Sequence, residues 1–190
     1  MKLAKDFDDY EFTCKCGCGG NKISDELVAK LQELKDALGA SICIITSGYR
    51  CPTHSVRVGG YYNDAHTKGI ASDCIFYRDR EKKNPIPVEE VARKAEKLGF
   101  TGIGLMSGNA IHLDIRNATN YVNSKWFGDE RTGKNIATFD VMGNDTEPKT
   151  VKTIQKLLNS HGYNCGAVDG IIGTKTTNAM IDALYDMWAK

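Results

Sequence analysis

Two histidines and an aspartate are the residues of this 190-residue chain whose types and spacing could hold a metal ion. His66 and Asp73 lie seven positions apart, in a segment whose pattern turns from loop into strand, and His112 lies further along the chain. Catalytic zinc takes three such nitrogen and oxygen ligands and keeps a fourth position for water, whose pKa it lowers to about 7. Spacing alone does not decide for zinc, because a single histidine in a loop is more often exposed or a hydrogen-bonded polar residue.

The elements that must position these residues follow from the periodicity of the apolar side chains. Amphipathic helices are predicted at residues 24–39 and 87–99, each ending at a glycine. Short strands are predicted at residues 42–46, 71–77, 102–106 and 110–115, the first of them buried on both faces, and a long loop at residues 52–73. His112 and Asp114 share one face of the last strand, because side chains alternate along a strand.

Residues 141–190 show a different pattern, with a helical stripe on either side of a glycine-hinged turn at residues 168–173. We therefore place a domain boundary at residue 140. The expected fold class is α+β. Residues 1–140, with a Cys- and Gly-rich lead-in at 1–22, should form a small antiparallel sheet with flanking helices that carries the metal site. Residues 141–190 should form a small all-α helical module.

The charge balance excludes several classes of partner. The chain has 25 Lys and Arg against 24 Asp and Glu, a net charge of +1, so no field of one sign favours nucleic acid or an anionic membrane. No apolar run approaches the roughly 20 residues of a membrane helix, and the first residues lack the apolar stretch of a secretory signal. We expect a monomer that is made in the cytoplasm without a signal peptide.

Four segments, in this order and spacing, carry a family resemblance. They are residues 47–52 (SGYRCP), 58–60 (VGG), 66–73 (HTKGIASD) and 111–116 (IHLDIR). Over about residues 8–135 the chain resembles the zinc D-alanyl-D-alanine carboxypeptidase family, which includes L-alanyl-D-glutamate endopeptidases. The resemblance implies that His66, Asp73 and His112 bind one zinc ion. It also implies that Arg50 binds substrate and steadies the charge that develops on the scissile carbonyl, as a permanently charged guanidinium can.

The general base is less clear from the sequence. Members of the family often place a carboxylate three residues before the last histidine, but here that residue is Asn109, which cannot accept a proton. Asp114 is the candidate catalytic base, with support of a ligand or of Arg116 as its alternative role. Asp64 stands where many relatives carry serine, so it is a candidate substrate-binding residue that adds negative charge beside the metal.

The C-terminal segment has its own resemblance. Residues 151–158, 162–163 and 168–173 are similar to the small helical peptidoglycan-binding domain of many wall hydrolases. Together the two resemblances imply a zinc metallopeptidase that hydrolyses stem or cross-link peptides of the bacterial cell wall, of the D,D-carboxypeptidase or L,D-endopeptidase type. With both segments, the chain resembles a phage or prophage endolysin, an enzyme that acts on the cell wall after its release from the cytoplasm. Peptidoglycan is then the expected partner, and the helical module would hold the enzyme on it.

The chain has seven cysteines, an odd number, and the expected cytoplasmic origin argues against a disulfide framework. Cys14, Cys16 and Cys18 alternate with single residues, unlike the wider gaps of common zinc sites. A second, structural zinc site at these three cysteines, approached by Cys51 as the resemblance suggests, is therefore the less favoured interpretation. The favoured interpretation is that these cysteines are reduced thiols in a loop.

Two other function classes stay open at this point. A non-catalytic cell-wall-binding protein that contains zinc is suggested by Asn109, and it would bind the wall without turnover. A thiol hydrolase would use Cys51 or Cys74 with His54 or His66, and alkylation of the thiol would abolish its activity.

Overall fold

The structure, a computed structural model, describes residues 1–117, 125–139 and 148–188. The chain divides into two compact units, residues 1–140 and residues 141–190, and each is described by itself. Within the described residues, no helix is both long and apolar enough to cross a membrane.

The first unit is built on a mixed sheet. A separate N-terminal hairpin is formed by β1 (Lys2–Ala4) and β2 (Phe7–Asp8). The strands of the mixed sheet are β3 (Ile42–Ser47), β4 (Ala71–Tyr77), β5 (Gly102–Leu105), β6 (Ile111–Asp114), β7 (Trp126–Asp129) and β8 (Lys134–Asn135). Among the described residues the sheet has six strands in the order β3-β4-β6-β5-β7-β8, and all neighbours are antiparallel except β5 and β7. The α+β class is confirmed, and the parallel strand β7 lies where no strand was predicted.

Three helices of this unit are α1 (Asp25–Ala37), α2 (Pro52–Arg57) and α3 (Val88–Lys97). The two amphipathic helices, α1 and α3, lie within their predicted ranges and bury their apolar stripes. The short helix α2 lies where a loop was predicted. Pro52 occupies its first turn, where the ring fixes a helical φ and the missing N–H is not needed.

The hydrophobic core joins the sheet to α1 and α3. Leu31 of α1, Val91 of α3 and Ile103, Ile111 and Leu113 of the sheet belong to one buried cluster. The prediction that residues 42–46 are buried on both faces is wrong. In strand β3, at the edge of the sheet, only alternate residues such as Cys43 and Ile45 are buried, as in a strand whose sheet is covered on one face.

In the described part of the second unit, helices α4 (Pro148–Ser160) and α5 (Thr174–Trp188) flank a turn, as the pattern predicted. Leu158, Cys165 and Ala179 form its small buried core. Gln155, only 1% exposed, organises the turn through its side-chain amide. The amide nitrogen donates to Asp169 Oδ1 at 2.8 Å, and the amide oxygen accepts from the Gly170 N–H at 2.8 Å.

Candidate metal centre

The sheet brings the three predicted ligands to one point. Strands β4 and β6 are antiparallel in a register that places Asp73 opposite His112, and His66 lies in the loop that leads into β4. All three side chains are buried, and one ligand atom from each lies within 4.8 Å of the others. Residues separated along the chain by up to 46 positions therefore form one cluster.

The spacing of these atoms suits a zinc ion. Asp73 Oδ1 lies 2.9 Å from His112 Nδ1 and 3.2 Å from His66 Nε2, and the two nitrogens are 3.2 Å apart. A tetrahedral ion with bonds of about 2.0–2.1 Å places its ligand atoms about 3.3 Å from one another. The cluster thus needs only a slight expansion to hold the ion.

The remaining histidine nitrogens have acceptors that set the tautomers. His66 Nδ1 lies 2.8 Å from the Gly48 carbonyl oxygen, which can only accept a hydrogen bond. His112 Nε2 lies 3.1 Å from Asp114 Oδ2. A neutral ring whose proton is directed at its acceptor turns the lone pair of its other nitrogen toward Asp73, so in this tautomer three lone pairs would converge on a bound cation. Carboxylate and carbonyl partners of this kind orient the histidine ligands of zinc sites.

The charges of the site favour a positive charge beside Asp73. Burial lowers the pKa of His112, but hydrogen bonds and charge from Asp114 and Asp73 outweigh it and raise the pKa to about 10. Burial raises the pKa of Asp73, yet hydrogen bonds from the two histidines and their charge bring it well below its usual range. In the metal-free protein, His112 is therefore protonated, and its proton supplies the positive charge that a bound metal ion would supply.

Arg50 contacts both the cluster and the open space beside it. Its Nη2 forms a short ion pair with Asp73 Oδ2, the oxygen that faces away from the histidines, and its Nε donates to Ser47 Oγ at 2.8 Å. Arg50 also lines a cavity of about 690 Å³ into which His66, Asp73 and His112 open. The predicted substrate-binding cation is thus at the cavity wall and positions a ligand as well.

Asp114 lies behind the cluster. Its side chain is fully buried and does not line the cavity. Arg116 binds both carboxylate oxygens, through Nε at 2.9 Å and a short contact from Nη2. Burial raises the pKa of Asp114, but hydrogen bonds from His112 and Arg116 and their charge lower it well below its usual range. This geometry favours the second role considered for Asp114, in which it orients His112.

Asp64 lines the cavity, but its oxygens serve its own loop. Oδ1 accepts from the Thr67 N–H at 2.9 Å, and Oδ2 accepts from the Tyr61 N–H at 3.3 Å and from the Ser55 hydroxyl. The carboxylate therefore holds the loop that carries His66. Asn109 lies in the turn between β5 and β6 and is not among the residues that line the cavity.

The structure adds cavity residues that the sequence analysis missed. Arg116, Trp126 and Glu130 line the same cavity, the last two because β7 pairs with β5. The residue of the sequence that could have indicated Trp126 and Glu130 is Gly104 on β5, whose missing side chain leaves room for both. A Cβ atom there would lie 2.8 Å from Glu130 Oε1 and 3.0 Å from the Trp126 ring.

The thiols do not have the environment of a nucleophile. A hydrogen bond from the His54 backbone lowers the pKa of Cys51, but burial and three neighbouring cysteines raise it to about 11. Burial raises the pKa of Cys74 well above its usual value. Thiolate nucleophiles need the opposite shift, so the structure disfavours the thiol-hydrolase hypothesis.

Comparison with known proteins agrees with this geometry. A family model described as Peptidase M15 matches residues 5–114, more than half of the chain, and the matched region includes all three predicted ligands. A second model, described as a putative peptidoglycan binding domain, matches residues 147–183. No curated protein matches the chain. The two resemblances drawn from the sequence motifs are thereby confirmed.

Proposed function

The chain belongs to the peptidase M15 family and carries a peptidoglycan-binding domain, and we propose that it is a zinc-dependent hydrolase of peptidoglycan stem or cross-link peptides. The observation that carries this proposal is the convergence of three lone pairs, from His66, Asp73 and His112, at the wall of an open cavity. The donor set, two imidazoles and one carboxylate with room beside them, is that of a catalytic zinc site.

In this proposal His66, Asp73 and His112 hold the ion. When bound, zinc supplies Lewis-acid chemistry, which polarises a peptide carbonyl and makes water acidic enough to attack near neutral pH. Arg50 uses two of its N–H groups on Ser47 and Asp73, and the others are available to the substrate. There they bind the scissile carbonyl or a substrate carboxylate and stabilise the negative charge that develops during attack.

We assign the proton transfer to Glu130. Among the described residues, the carboxylates that line the cavity are Asp64, Asp73 and Glu130. Asp64 accepts hydrogen bonds within its own loop, and Asp73 is bound by the two histidines and Arg50. Glu130 is exposed and has no ion-pair partner in the described part of the chain. It can therefore accept the proton of the attacking water and pass it to the departing amine.

Residues 141–190 supply the second part of the function. We propose that this unit binds peptidoglycan and keeps the peptidase close to many stem peptides, which raises their effective concentration. Its described surface exposes apolar side chains, including Ile171 and Ile172 in the turn and Tyr185 on α5, which suit the apolar faces of sugar rings. This combination is the basis for proposing that the protein acts as an endolysin on the bacterial cell wall.

Digestion of purified peptidoglycan tests the proposal. The protein should release peptide fragments that mass spectrometry identifies, and a zinc chelator should stop the release until zinc is restored. The identity of the fragments distinguishes a D,D-carboxypeptidase from an L,D-endopeptidase. A His66→Ala variant should bind the wall but release nothing. If the wild-type protein binds zinc and peptidoglycan and releases nothing, it is the non-catalytic wall-binding protein instead.

A further inference from the structure

Four cysteine sulfurs lie together, one of them from Cys51, the residue that follows Arg50. The Sγ atoms of Cys14 and Cys16 are 3.4 Å apart, those of Cys16 and Cys51 are 3.7 Å apart, and Cys18 completes a group whose sulfurs all lie within 4.8 Å of one another. A tetrahedral zinc ion with Zn–S bonds of about 2.3 Å places its sulfurs about 3.8 Å apart. A disulfide requires about 2.05 Å. The four thiols therefore have the spacing of a shared ligand sphere.

The backbone around this group points N–H groups at the sulfurs. The Cys51 N–H donates to Cys14 Sγ at 3.3 Å, and the Gly20 N–H donates to Cys18 Sγ at 3.4 Å. Hydrogen bonds of this kind stabilise sulfur when it carries the negative charge of a thiolate. They have no comparable value for a neutral thiol, which is a weak acceptor.

The segment that carries three of the cysteines buries little apolar surface of its own. In the stretch between Phe12 and Leu27, which is described throughout, Cys14 alone is buried. Gly17 and Gly19 have φ values of 84° and 69°, which let the chain reverse between successive cysteines. A metal ion shared by the cysteines would add to the polar contacts that hold this segment, such as the hydrogen bond from Asn21 Nδ2 to Asp9 Oδ1 at 2.7 Å.

We propose that Cys14, Cys16, Cys18 and Cys51 bind a second zinc ion in a structural tetrathiolate site. The ion would displace the four thiol protons and stabilise the folded chain, because the ligands are brought together only on folding. The site is separate from the catalytic centre and does not depend on the proposed hydrolysis.

The site would also fix the position of Arg50. Cys51 follows Arg50 directly, and the Tyr49 N–H donates to the Phe12 carbonyl at 2.9 Å. The Gly48 carbonyl, which accepts from His66, lies on the same segment. The tetrathiolate would therefore clamp the N-terminal segment to the strand end that supports both the cavity arginine and a catalytic ligand.

Metal analysis of the full chain tests this inference. The wild-type protein, purified with zinc and a mild reductant, should contain about two zinc ions per chain. A His66→Ala variant and a Cys16→Ser/Cys18→Ser double variant should each contain about one. Cys165→Ser is the matched control, because Cys165 Sγ donates to the Gln155 carbonyl at 3.2 Å and a hydroxyl can do the same. It should keep both ions.

Cobalt substitution gives a readout that needs no mutation in the cluster. Co²⁺ bound by four thiolates absorbs strongly in the near ultraviolet through sulfur-to-metal charge transfer, whereas a histidine and carboxylate site does not. We expect this absorption in the wild-type protein and equally in His66→Ala. Its absence, a zinc content unaffected by Cys16→Ser/Cys18→Ser, or disulfides among the four cysteines in mass spectra would overturn the proposal. None of these results depends on whether the protein hydrolyses peptidoglycan.

Discussion

Two carboxylates near the metal centre differ in what surrounds them, and that difference separates their roles. Asp114 is buried between His112 and Arg116, whose positive charge keeps it ionised and fixed. Glu130 is exposed at the cavity wall. A proton carrier must reach solvent or substrate and must exchange its proton, and the burial and ion pair of Asp114 favour Glu130 over Asp114 for that role.

Substitution of the two carboxylates should therefore have different effects. Asp114→Asn should weaken zinc binding by about 10–100-fold, because it removes the carboxylate that orients His112, with turnover largely restored at saturating zinc. Glu130→Gln should leave zinc affinity unchanged and lower kcat by about 10²-fold or more. Competition with a chromophoric chelator and hydrolysis of wall fragments measure the two quantities. Full zinc affinity with lost turnover in Asp114→Asn would instead identify Asp114 as the base.

Removal of the metal should make stability depend on pH through His112. In the metal-free protein the pKa of His112 is raised from 6.5 to about 10, so the imidazolium stabilises the fold by its contacts with Asp114 and Asp73. That contribution is fully present below about pH 6.5 and is lost as the pH rises through about 10. We expect the free energy of unfolding, measured by urea denaturation with a chelator, to fall over this window.

Two comparisons isolate this contribution. A His112→Gln variant should lack this component of the fall. The zinc-loaded protein should show less of it, because the ion stabilises the same carboxylate without a proton. An equal fall in all three samples would assign the pH dependence to other groups.

At the scale of elements, strand β5 decides what its neighbour β6 can carry. Gly102 pairs with Asp114 and Gly104 with His112, and a Cβ atom at Gly102 would overlap the Asp114 carboxylate. The missing side chain of Gly102 is therefore what leaves room for the Asp114 carboxylate, which contacts His112.

Gly102→Ala should accordingly destabilise the unit by about 1–3 kcal/mol, as overpacking of a filled interior does, and weaken zinc binding as well. Thermal or urea unfolding and chelator competition measure the two effects. Gly173→Ala is a suitable control for the added methyl group, since no atom lies within 4 Å of the position of its Cβ. Unchanged zinc affinity in Gly102→Ala would separate Asp114 from the metal centre.

At the scale of the whole molecule, the chain joins a unit that contains the candidate metal centre to a unit with its own small core. If residues 141–190 act by holding the peptidase on its polymer, their deletion should lower the hydrolysis of intact peptidoglycan by about 10²-fold and leave that of a small soluble muropeptide unchanged. Initial rates on the two substrates measure this. Equal losses on both substrates would show that the unit supports catalysis or folding rather than wall binding.

The sequence by itself determined the features that depend on local pattern. Helices α1 and α3, strand β4 and the α+β class follow from apolar periodicity and from glycine and proline signals, and the family follows from its motifs. These features survive tertiary context because each is encoded in a short, continuous stretch.

Only the tertiary structure decided which side chains meet. It buried Asp114 against Arg116, paired β7 with β5 so that Glu130 reached the cavity, and brought Cys51 to three cysteines 33 or more positions away. Such contacts depend on strand register and on pairing between distant segments, which spacing along the chain does not encode. The chemistry of a side chain is set by its partners, so the candidate ligands could be proposed from the sequence, whereas the contacts that set the roles of the groups around them could not.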